Sequence, residues 1–287
     1  PFLLLKGWVG QWGDHPATTG LFSLLLSTIS LFFTWRIGRR LFKPPVAAFG
    51  VVLFLVSAGA LFHLTDIWVY ATAIATATAS TAYLFDVLVQ PRRIHHWVGY
   101  VVATVLALYS HYAFILVWYA QHVVVTLWLL RQRDFPIRRW IIASFLVVLG
   151  FSPWLPVAVH QITLNHFILP SLQLGVATQE PLASFLTTLR EELVNTRVVT
   201  ALGGAFWVVA TIALFAAYVE VVRGRGTLTV RLRPRGFPFI ALAILCAIPA
   251  AVLAFLHVDV WPGRYLSLIL PLFSLLVAAA FLELPLG

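Results

Sequence analysis

The segment Ala107-Leu-Tyr-Ser-His-Tyr-Ala-Phe-Ile-Leu-Val-Trp-Tyr-Ala-Gln121 places two apolar runs on either side of a short polar corner. The corner, Tyr109-Ser-His-Tyr112, is too short to carry the chain far from a bilayer, so the sequence predicts a tight hairpin at a membrane surface. Its tyrosines suit that depth, because an amphipathic ring lies well where hydrocarbon meets head groups. The two flanking runs are therefore predicted to be membrane-spanning helices.

The composition of the 287-residue chain agrees with a membrane location. Hydrophobic residues make up 61% of it, charged residues make up 10%, and the mean hydropathy is +0.94. A soluble domain carries about a quarter charged residues, so a chain this apolar needs lipid as its solvent. The single cysteine, Cys246, has no partner for a disulfide. We expect an all-α, polytopic helical membrane protein that forms one domain over 1–287.

Nine stretches are candidates for crossing the bilayer. They are 20–36, 46–62, 67–89, 97–109, 113–130, 140–157, 199–222, 237–256 and 264–283. A crossing takes about 20 residues, and the stretch 97–109 is shorter than that. Its helix must therefore extend into the residues on either side. Within 67–89, the segment Ala71-Thr-Ala-Ile-Ala-Thr-Ala-Thr-Ala-Ser80 alternates like a strand. An isolated strand cannot satisfy its backbone in lipid, so we expect a helix, placed by its small residues in the middle of the bundle.

Two further helices are expected outside the spans. Residues 1–12 are too short to cross, and they predict a juxtamembrane helix. The long loop 158–198 contains a stretch, 181–197, with Leu182, Phe185, Leu189 and Leu193 at helical spacing. That pattern predicts an amphipathic helix on the membrane surface. This helix either contributes to a binding site or packs over the loop without binding a ligand.

The basic residues orient the expected bundle. One set of connections holds fifteen of the 19 Lys and Arg residues, and the alternate connections hold only Lys6, Arg190, Arg197 and Arg264. Because Lys and Arg are retained in the cytoplasm, the richer set is predicted to face inward. The net charge of +9 is then a topological signal and does not indicate a nucleic-acid partner. We expect a multi-pass protein of the cytoplasmic (inner) membrane, in contact with membrane lipids.

Four motifs, in order along the chain, resemble those of one enzyme group. They are Gly38-Arg-Arg-Leu-Phe42, Leu108-Tyr-Ser-His-Tyr112, Phe151-Ser-Pro-Trp-Leu-Pro156 and Pro262-Gly-Arg-Tyr-Leu266. In this order and sidedness, the chain resembles the GT-C type membrane glycosyltransferases, in particular the protein O-mannosyltransferase and lipid A aminoarabinose-transferase branch. The resemblance covers nearly the whole chain.

The resemblance implies transfer of a sugar from a polyprenyl-phosphate donor to an acceptor on the extracytoplasmic face. No metal site is expected, because the spacing of His160 and His166 fits no strong ligand motif, and no cofactor is expected. The resemblance also implies that Asp66 is a catalytic carboxylate and that the main catalytic Asp lies in an outer loop upstream of Pro1. Arg264, at the outer end of the last expected span, is the candidate ligand for the donor phosphate, although it could equally extend to the lipid head groups. The residues expected to bind substrate are Asp14, His63, Tyr70, His111, Tyr112, Arg264 and Tyr265.

The sequence also departs from the pattern of that group. Leu64-Thr-Asp-Ile-Trp-Val-Tyr70 stands where the group has Ser-Gln-Glu-Ala-Arg-Met-Tyr. Asp66 and Tyr70 keep the acid and the ring, but Trp68 replaces an arginine. Either the donor differs, or the chain is a catalytically silent accessory subunit of a larger membrane complex. A transporter is the third alternative, but the inverted repeats typical of that class are not found in the sequence.

Three ionisable residues inside or near the expected spans have simpler explanations. Asp86 and Glu220 lie near inner span ends, within reach of Arg92 and Arg223, and we expect solvated ion pairs of little weight. His122 lies well inside a span. It is expected to be a neutral imidazole bonded to Gln121 or to a neighbouring helix, with axial ligation of a pigment as the alternative.

Overall fold

The computed structural model describes residues 2–57, 69–132, 134–164, 219–224, 227–232, 236–255 and 267–282. These residues are helical except for one short hairpin. The helices are α1 (Phe2–Trp12), α2 (Pro16–Leu41), α3 (Pro44–Val56), α4 (Val69–Val89), α5 (Ile94–Ser110), α6 (Phe114–Arg131), α7 (Ile137–Phe151), α8 (Leu155–Leu164), α9 (Gly236–Phe255) and α10 (Leu270–Leu282). Short 3-10 turns at Ser152–Trp154 and Ser267–Ile269 precede α8 and α10.

Four of these helices are long and apolar enough to cross a membrane. They are Pro16–Leu41, Tyr70–Val89, Phe114–Arg131 and the continuous stretch Ile137–His160. Four shorter apolar helices accompany them: Pro44–Val56, Ile94–Ser110, Phe237–Pro249 and Ser267–Leu282. The expected span 97–109 does extend into its flanks, as α5. The expected juxtamembrane helix is present as α1, whereas the amphipathic helix at 181–197 lies outside the described residues.

The all-α fold class holds, but a short β-hairpin corrects the end of one expected span. Strand β1 (Val219–Gly224) pairs antiparallel with β2 (Thr227–Leu232), with Val219 opposite Leu232 and Glu220 opposite Arg231. Residues 219–222 were expected to end the helical span 199–222; the rest of that span lies outside the described residues. The physical reason is local, since β-branched residues are frequent in both strands, 219–224 and 227–232.

Helices α2 and α3 form the first helical hairpin, which depends on a proline at the start of each helix and on a short connection between them. Pro16 occupies the first turn of α2, and the Thr18 hydroxyl accepts from the His15 amide at 3.2 Å. Only Phe42 and Lys43 separate α2 from α3, and Pro44 restarts the helix. Since α2 and α3 contact each other across so short a connection, they run antiparallel.

Helix α4 lies at the centre of the bundle, as its small residues predicted. It contacts α2, α5 and α6, and its side chains from Ala71 to Ala75 are all buried. Alanine, serine and threonine let neighbouring backbones approach closely, which is how helices pack well in lipid. At one crossing, a Cβ on Gly99 of α5 would lie 2.5 Å from the Tyr83 ring of α4, so glycine is required there.

A buried polar network ties α4, α5 and α6 together halfway along their length. The Tyr100 hydroxyl donates to Gln121 Oε1 at 3.0 Å, and the Gln121 amide donates to the hydroxyl oxygens of Ser80 and Thr81 at 3.2 and 3.3 Å. Ser80 also hydrogen-bonds Thr104 at 2.8 Å. All five side chains are fully buried. Since polar groups have no water to bond in lipid, this network fixes the three helices in one register.

The outer helices carry exposed apolar side chains. On α2 they include Leu24 and Phe32, and on α7 they include Ile141, Phe145 and Leu149, each about half exposed. A continuous apolar surface of this kind is unfavourable in water and is the ordinary surface of a helix in lipid. These faces are therefore the lipid-contacting sides of the bundle.

Candidate functional site

The corner between α5 and α6 forms the tight turn that the sequence predicted. The His111 amide closes the last turn of α5 on the Ala107 carbonyl at 2.9 Å, and the Phe114 amide donates to the His111 carbonyl at 3.0 Å. The Ser110 hydroxyl donates back to the Leu106 carbonyl at 2.7 Å. These bonds satisfy the helix ends locally, so the chain reverses within three residues.

Aromatic side chains from three parts of the chain converge on this corner. The Tyr109 hydroxyl donates to the Gly150 carbonyl at 3.1 Å, and the Tyr109 ring lies against Phe151 and Trp154. The Trp154 indole donates to the Tyr112 hydroxyl at 2.9 Å. We call this group the aromatic end; it consists of Tyr70, Tyr109, His111, Tyr112 and Trp154.

Three of the expected substrate-binding residues meet at the aromatic end. Tyr70, at the start of α4, places its ring 5.6 Å from the His111 imidazole. Tyr112 is next to His111 in the chain and is held by Trp154. The sequence positions 70 and 111 are thus brought together by the packing of α4 on α5, and the cluster is a candidate binding surface.

The structure assigns a tautomer to His111. Its Nδ1 accepts from the Ala113 amide at 3.2 Å, so in the neutral imidazole the proton is on Nε2. Burial lowers the pKa of His111 to about 4, because desolvation penalises the imidazolium. At neutral pH His111 is therefore a neutral side chain with Nε2–H as its donor, suited to a phosphate or sugar oxygen and unsuited to the work of a general base.

The remaining expected site residues do not join this cluster within the part of the chain that the structure describes. Asp14 lies in the connection between α1 and α2, is exposed, and makes no hydrogen bond or ion pair with another described residue. His63, Asp66, Arg264 and Tyr265 lie outside the described residues. Their convergence on the aromatic end stays a prediction.

Trp154 is the residue that the sequence did not single out for the site. The sequence feature that could have identified Trp154 is the motif Phe151-Ser-Pro-Trp-Leu-Pro156. This motif forms a 3-10 turn after α7 and brings the Trp154 indole into contact with Tyr109 and Tyr112. Proline at the start of that turn is compatible with it, since its missing amide is not needed there. Interfacial tryptophan alone is too common to mark a site.

The opposite end of the bundle carries a charge cluster centred on Asp86. Asp86 is buried and accepts from Arg36 through Oδ2 and from Arg40 through Oδ1, the latter at 2.9 Å. Arg36 also lies over the Tyr83 ring, with its guanidinium carbon 4.8 Å from the centroid. The expectation of a solvated pair with Arg92 was wrong: the docking of α2 on α4 supplies two arginines from α2 and removes the carboxylate from water.

The same end holds most of the basic side chains that the structure describes. The Pro91 carbonyl accepts from Trp97 Nε1 at 2.8 Å and from Arg139 at 2.9 Å, which links the start of α7 to the turn between α4 and α5. We call this the basic end. Its described cations are Arg36, Arg39, Arg40, Lys43, Arg92, Arg93, Arg131, Arg138 and Arg139, against the two carboxylates Asp86 and Asp134.

His122 has both ring nitrogens engaged within the protein. Nδ1 lies 2.9 Å from the Trp118 carbonyl, and Nε2 lies 3.1 Å from the Ser144 hydroxyl of α7. The Trp118 and Trp140 rings flank the imidazole at 4.8 and 5.0 Å. The expectation of an imidazole bonded to a neighbouring helix is confirmed, and this geometry does not suit an axial ligand.

The fold and its two chemically distinct ends indicate a polytopic helical membrane protein. No protein-family model, no curated protein and no solved structure matches the chain. The resemblance to the GT-C glycosyltransferases thus rests on the four sequence motifs and is carried forward as a proposal.

Proposed function

We propose that this chain is a GT-C-like membrane glycosyltransferase that moves a sugar from a polyprenyl-phosphate donor to an extracytoplasmic acceptor. The observation that carries the proposal is the convergence of Tyr70, His111 and Tyr112 at the end of the bundle opposite the basic end. These residues belong to the segments whose sequence resembles that enzyme group.

The chemistry of such a donor fits an interfacial site. Its polyprenyl tail is soluble only in lipid and its phosphate only near water, so the reacting bond must lie where the two meet. At the aromatic end, His111 is a neutral side chain and the tyrosine rings suit the membrane surface. Neutral donors orient a sugar or phosphate oxygen without competing for the acceptor's proton.

The proposed reaction assigns the charged roles to residues that the sequence singled out. The acceptor oxygen attacks the anomeric carbon of the sugar, and the bond from that carbon to the phosphate oxygen breaks. Polyprenyl phosphate leaves as an anion held by Arg264, because a guanidinium fork matches phosphate oxygens. Asp66 takes the acceptor's proton.

The proposed orientation of the protein in the membrane is based on the distribution of its charged residues. The basic end holds nine described cations and is placed in the cytoplasm by the positive-inside tendency, so the aromatic end is extracytoplasmic. With that orientation, the donor is used on the outer face of the cytoplasmic membrane.

A specific observation favours the alternative, a catalytically silent accessory subunit. The hydroxyl of Tyr109 is bonded to the Gly150 carbonyl, and the hydroxyl of Tyr112 accepts from Trp154. Both groups thus already stabilise the packing of α7 on the corner. Trp68 in place of an arginine removes a cation from the same neighbourhood in sequence.

The test uses the full open reading frame that contains this chain, purified and reconstituted in liposomes. We expect transfer of radiolabelled sugar from polyprenyl-phosphate mannose or polyprenyl-phosphate aminoarabinose, with Asp66→Asn or Arg264→Gln lowering the rate by about 100-fold or more. Asp134→Asn, an exposed carboxylate at the basic end, is the matched control and should keep the wild-type rate. Absence of transfer by a folded protein that purifies in a fixed ratio with other membrane subunits would establish the accessory role instead.

A further inference from the structure

We propose that the basic end contains a built site for a phosphate group, supplied by an anionic lipid head group. The site consists of Arg36 and Arg40 on α2, held from behind by Asp86 of α4. It lies at the opposite end of the bundle from the proposed transfer site and does not depend on it.

Asp86 fixes two guanidinium groups but uses only part of each. Each arginine gives one terminal nitrogen to the carboxylate, and the two side chains remain 30% and 27% exposed. A guanidinium carries five N–H donors in a planar fork, so unused donors remain on both. Two arginines against one carboxylate leave one net positive charge in a fixed position.

One of the arginine donors has no partner among the described residues. It is Arg40 Nε, which is buried although the side chain as a whole is 27% exposed. A buried donor without an acceptor is rare in proteins, and an anionic oxygen seated on the Arg40 guanidinium would satisfy it.

The surroundings favour a lipid as the source of that phosphate. Large apolar side chains beside the cluster are exposed, including Phe32 and Trp35 on α2 and Ile94 at the start of α5, which is 68% exposed. The Arg39 guanidinium lies over the Trp35 ring at 5.7 Å, so cation and apolar surface alternate at this level of the helix. A head group on the arginines with acyl chains along α2 matches both surfaces.

Net charge at this end supports an anion of either origin. Nine described cations face only two described carboxylates there, and one of those, Asp134, is exposed in the turn before α7. An acidic protein segment would also be attracted, but it would not account for the exposed apolar side chains beside the arginines. We therefore assign the lipid and leave the acidic segment as an outcome of the test.

The experiment is native mass spectrometry of the purified full-length protein, titrated with phosphatidylglycerol or phosphatidylcholine. We expect phosphatidylglycerol to be retained about tenfold more strongly. Arg40→Lys and Arg36→Lys each keep the charge but lose the fork of donors. Each should weaken phosphatidylglycerol binding about tenfold, one charge-assisted contact being worth about that factor.

Arg138→Gln is the matched control, because Arg138 is an exposed cation of the basic end outside the site. It should weaken binding by less than about twofold, as expected for one screened surface charge. Thermal melts of every variant in detergent verify that it is folded, and Arg36→Lys carries the test if Arg40→Lys does not fold.

Three results would overturn the proposal: equal retention of the two lipids, an equal loss in Arg138→Gln, or no loss in a folded Arg36→Lys or Arg40→Lys variant. Displacement of phosphatidylglycerol by an acidic peptide, but not by inorganic phosphate, would assign the surface to a protein partner instead. Binding of inorganic phosphate alone with the same dependence on Arg36 and Arg40 would uphold the phosphate site and overturn the lipid as its source.

Discussion

Replacing Asp86 with asparagine removes the charge that organises the basic end while keeping the volume of the side chain. Asp86 accepts from Arg36 and Arg40, and its side chain is only 4% exposed. A hydrogen bond to a charged group contributes about 1.5–3 kcal/mol. Both arginines keep more than a quarter of their surface in solvent, so screening brings each contribution to the lower end of that range or below. With one neutral acceptor retained, we expect Asp86→Asn to lower the free energy of unfolding by about 2 kcal/mol.

The assay is reversible unfolding in mixed detergent and SDS micelles, followed by tryptophan fluorescence. Asp134→Asn, an exposed carboxylate at the same end, is the control and should stay within about 0.5 kcal/mol of the wild type. A double-mutant cycle with Arg40→Gln should give a coupling energy of about 1–2 kcal/mol, because the two side chains share a hydrogen bond. If Asp86→Asn behaves like Asp134→Asn and the coupling is near zero, the reasoning fails, and the pair is the solvated one that sequence alone suggested.

Three further predictions concern packing, the polar network and pH. Gly99→Ala should cost about 1–3 kcal/mol in the same unfolding assay, because its Cβ would lie 2.5 Å from the Tyr83 ring; Gly20→Ala, with open space around it, should cost nothing. Gln121→Leu should cost about 1–3 kcal/mol and broaden the melting transition, because it leaves buried hydroxyls without their partner; an unchanged melt would show that the network adds no stability. Because the folded protein holds His111 at a pKa of about 4, below the ordinary 6.5, only the unfolded chain gains its proton as the pH falls through 6.5. Lowering the pH from 7 to 5 should thus cost about 1–2 kcal/mol of stability, and His111→Gln should lose that dependence in parallel melts.

The parts of the fold that the sequence predicted are those that depend on local composition. The corner at Tyr109-Ser-His-Tyr112 could be recognised because a few polar residues between two apolar runs have only one arrangement at a membrane surface. Helix α4 could be placed centrally because its alanine, serine and threonine side chains are small on every side. Neither inference needs knowledge of which helix packs on which.

The parts that were missed depend on tertiary contacts. Asp86 is nearer in sequence to Arg92 than to Arg36, fifty residues away, and only the docking of α2 against α4 decides between them. The hairpin at Val219–Leu232 was hidden because its valines also suit a membrane span. Trp154 was hidden in a similar way, since its role comes from an indole N–H that reaches Tyr112 across 42 positions of the chain.

The buried network around Gln121 also constrains how the protein is made. Released alone into hydrocarbon, α6 would carry the amide of Gln121 with no partner and the ring of His122 with only its bond to the Trp118 carbonyl. The partners of Gln121 lie on α5 and on α4, the latter about forty residues earlier in the chain. The partner of His122 on another helix lies on α7. Site-specific crosslinking of stalled nascent chains should accordingly find α4 still beside the insertion machinery when α6 emerges. Helices α4 to α6 would then leave the translocon as a single preassembled unit, with α7 joining them last.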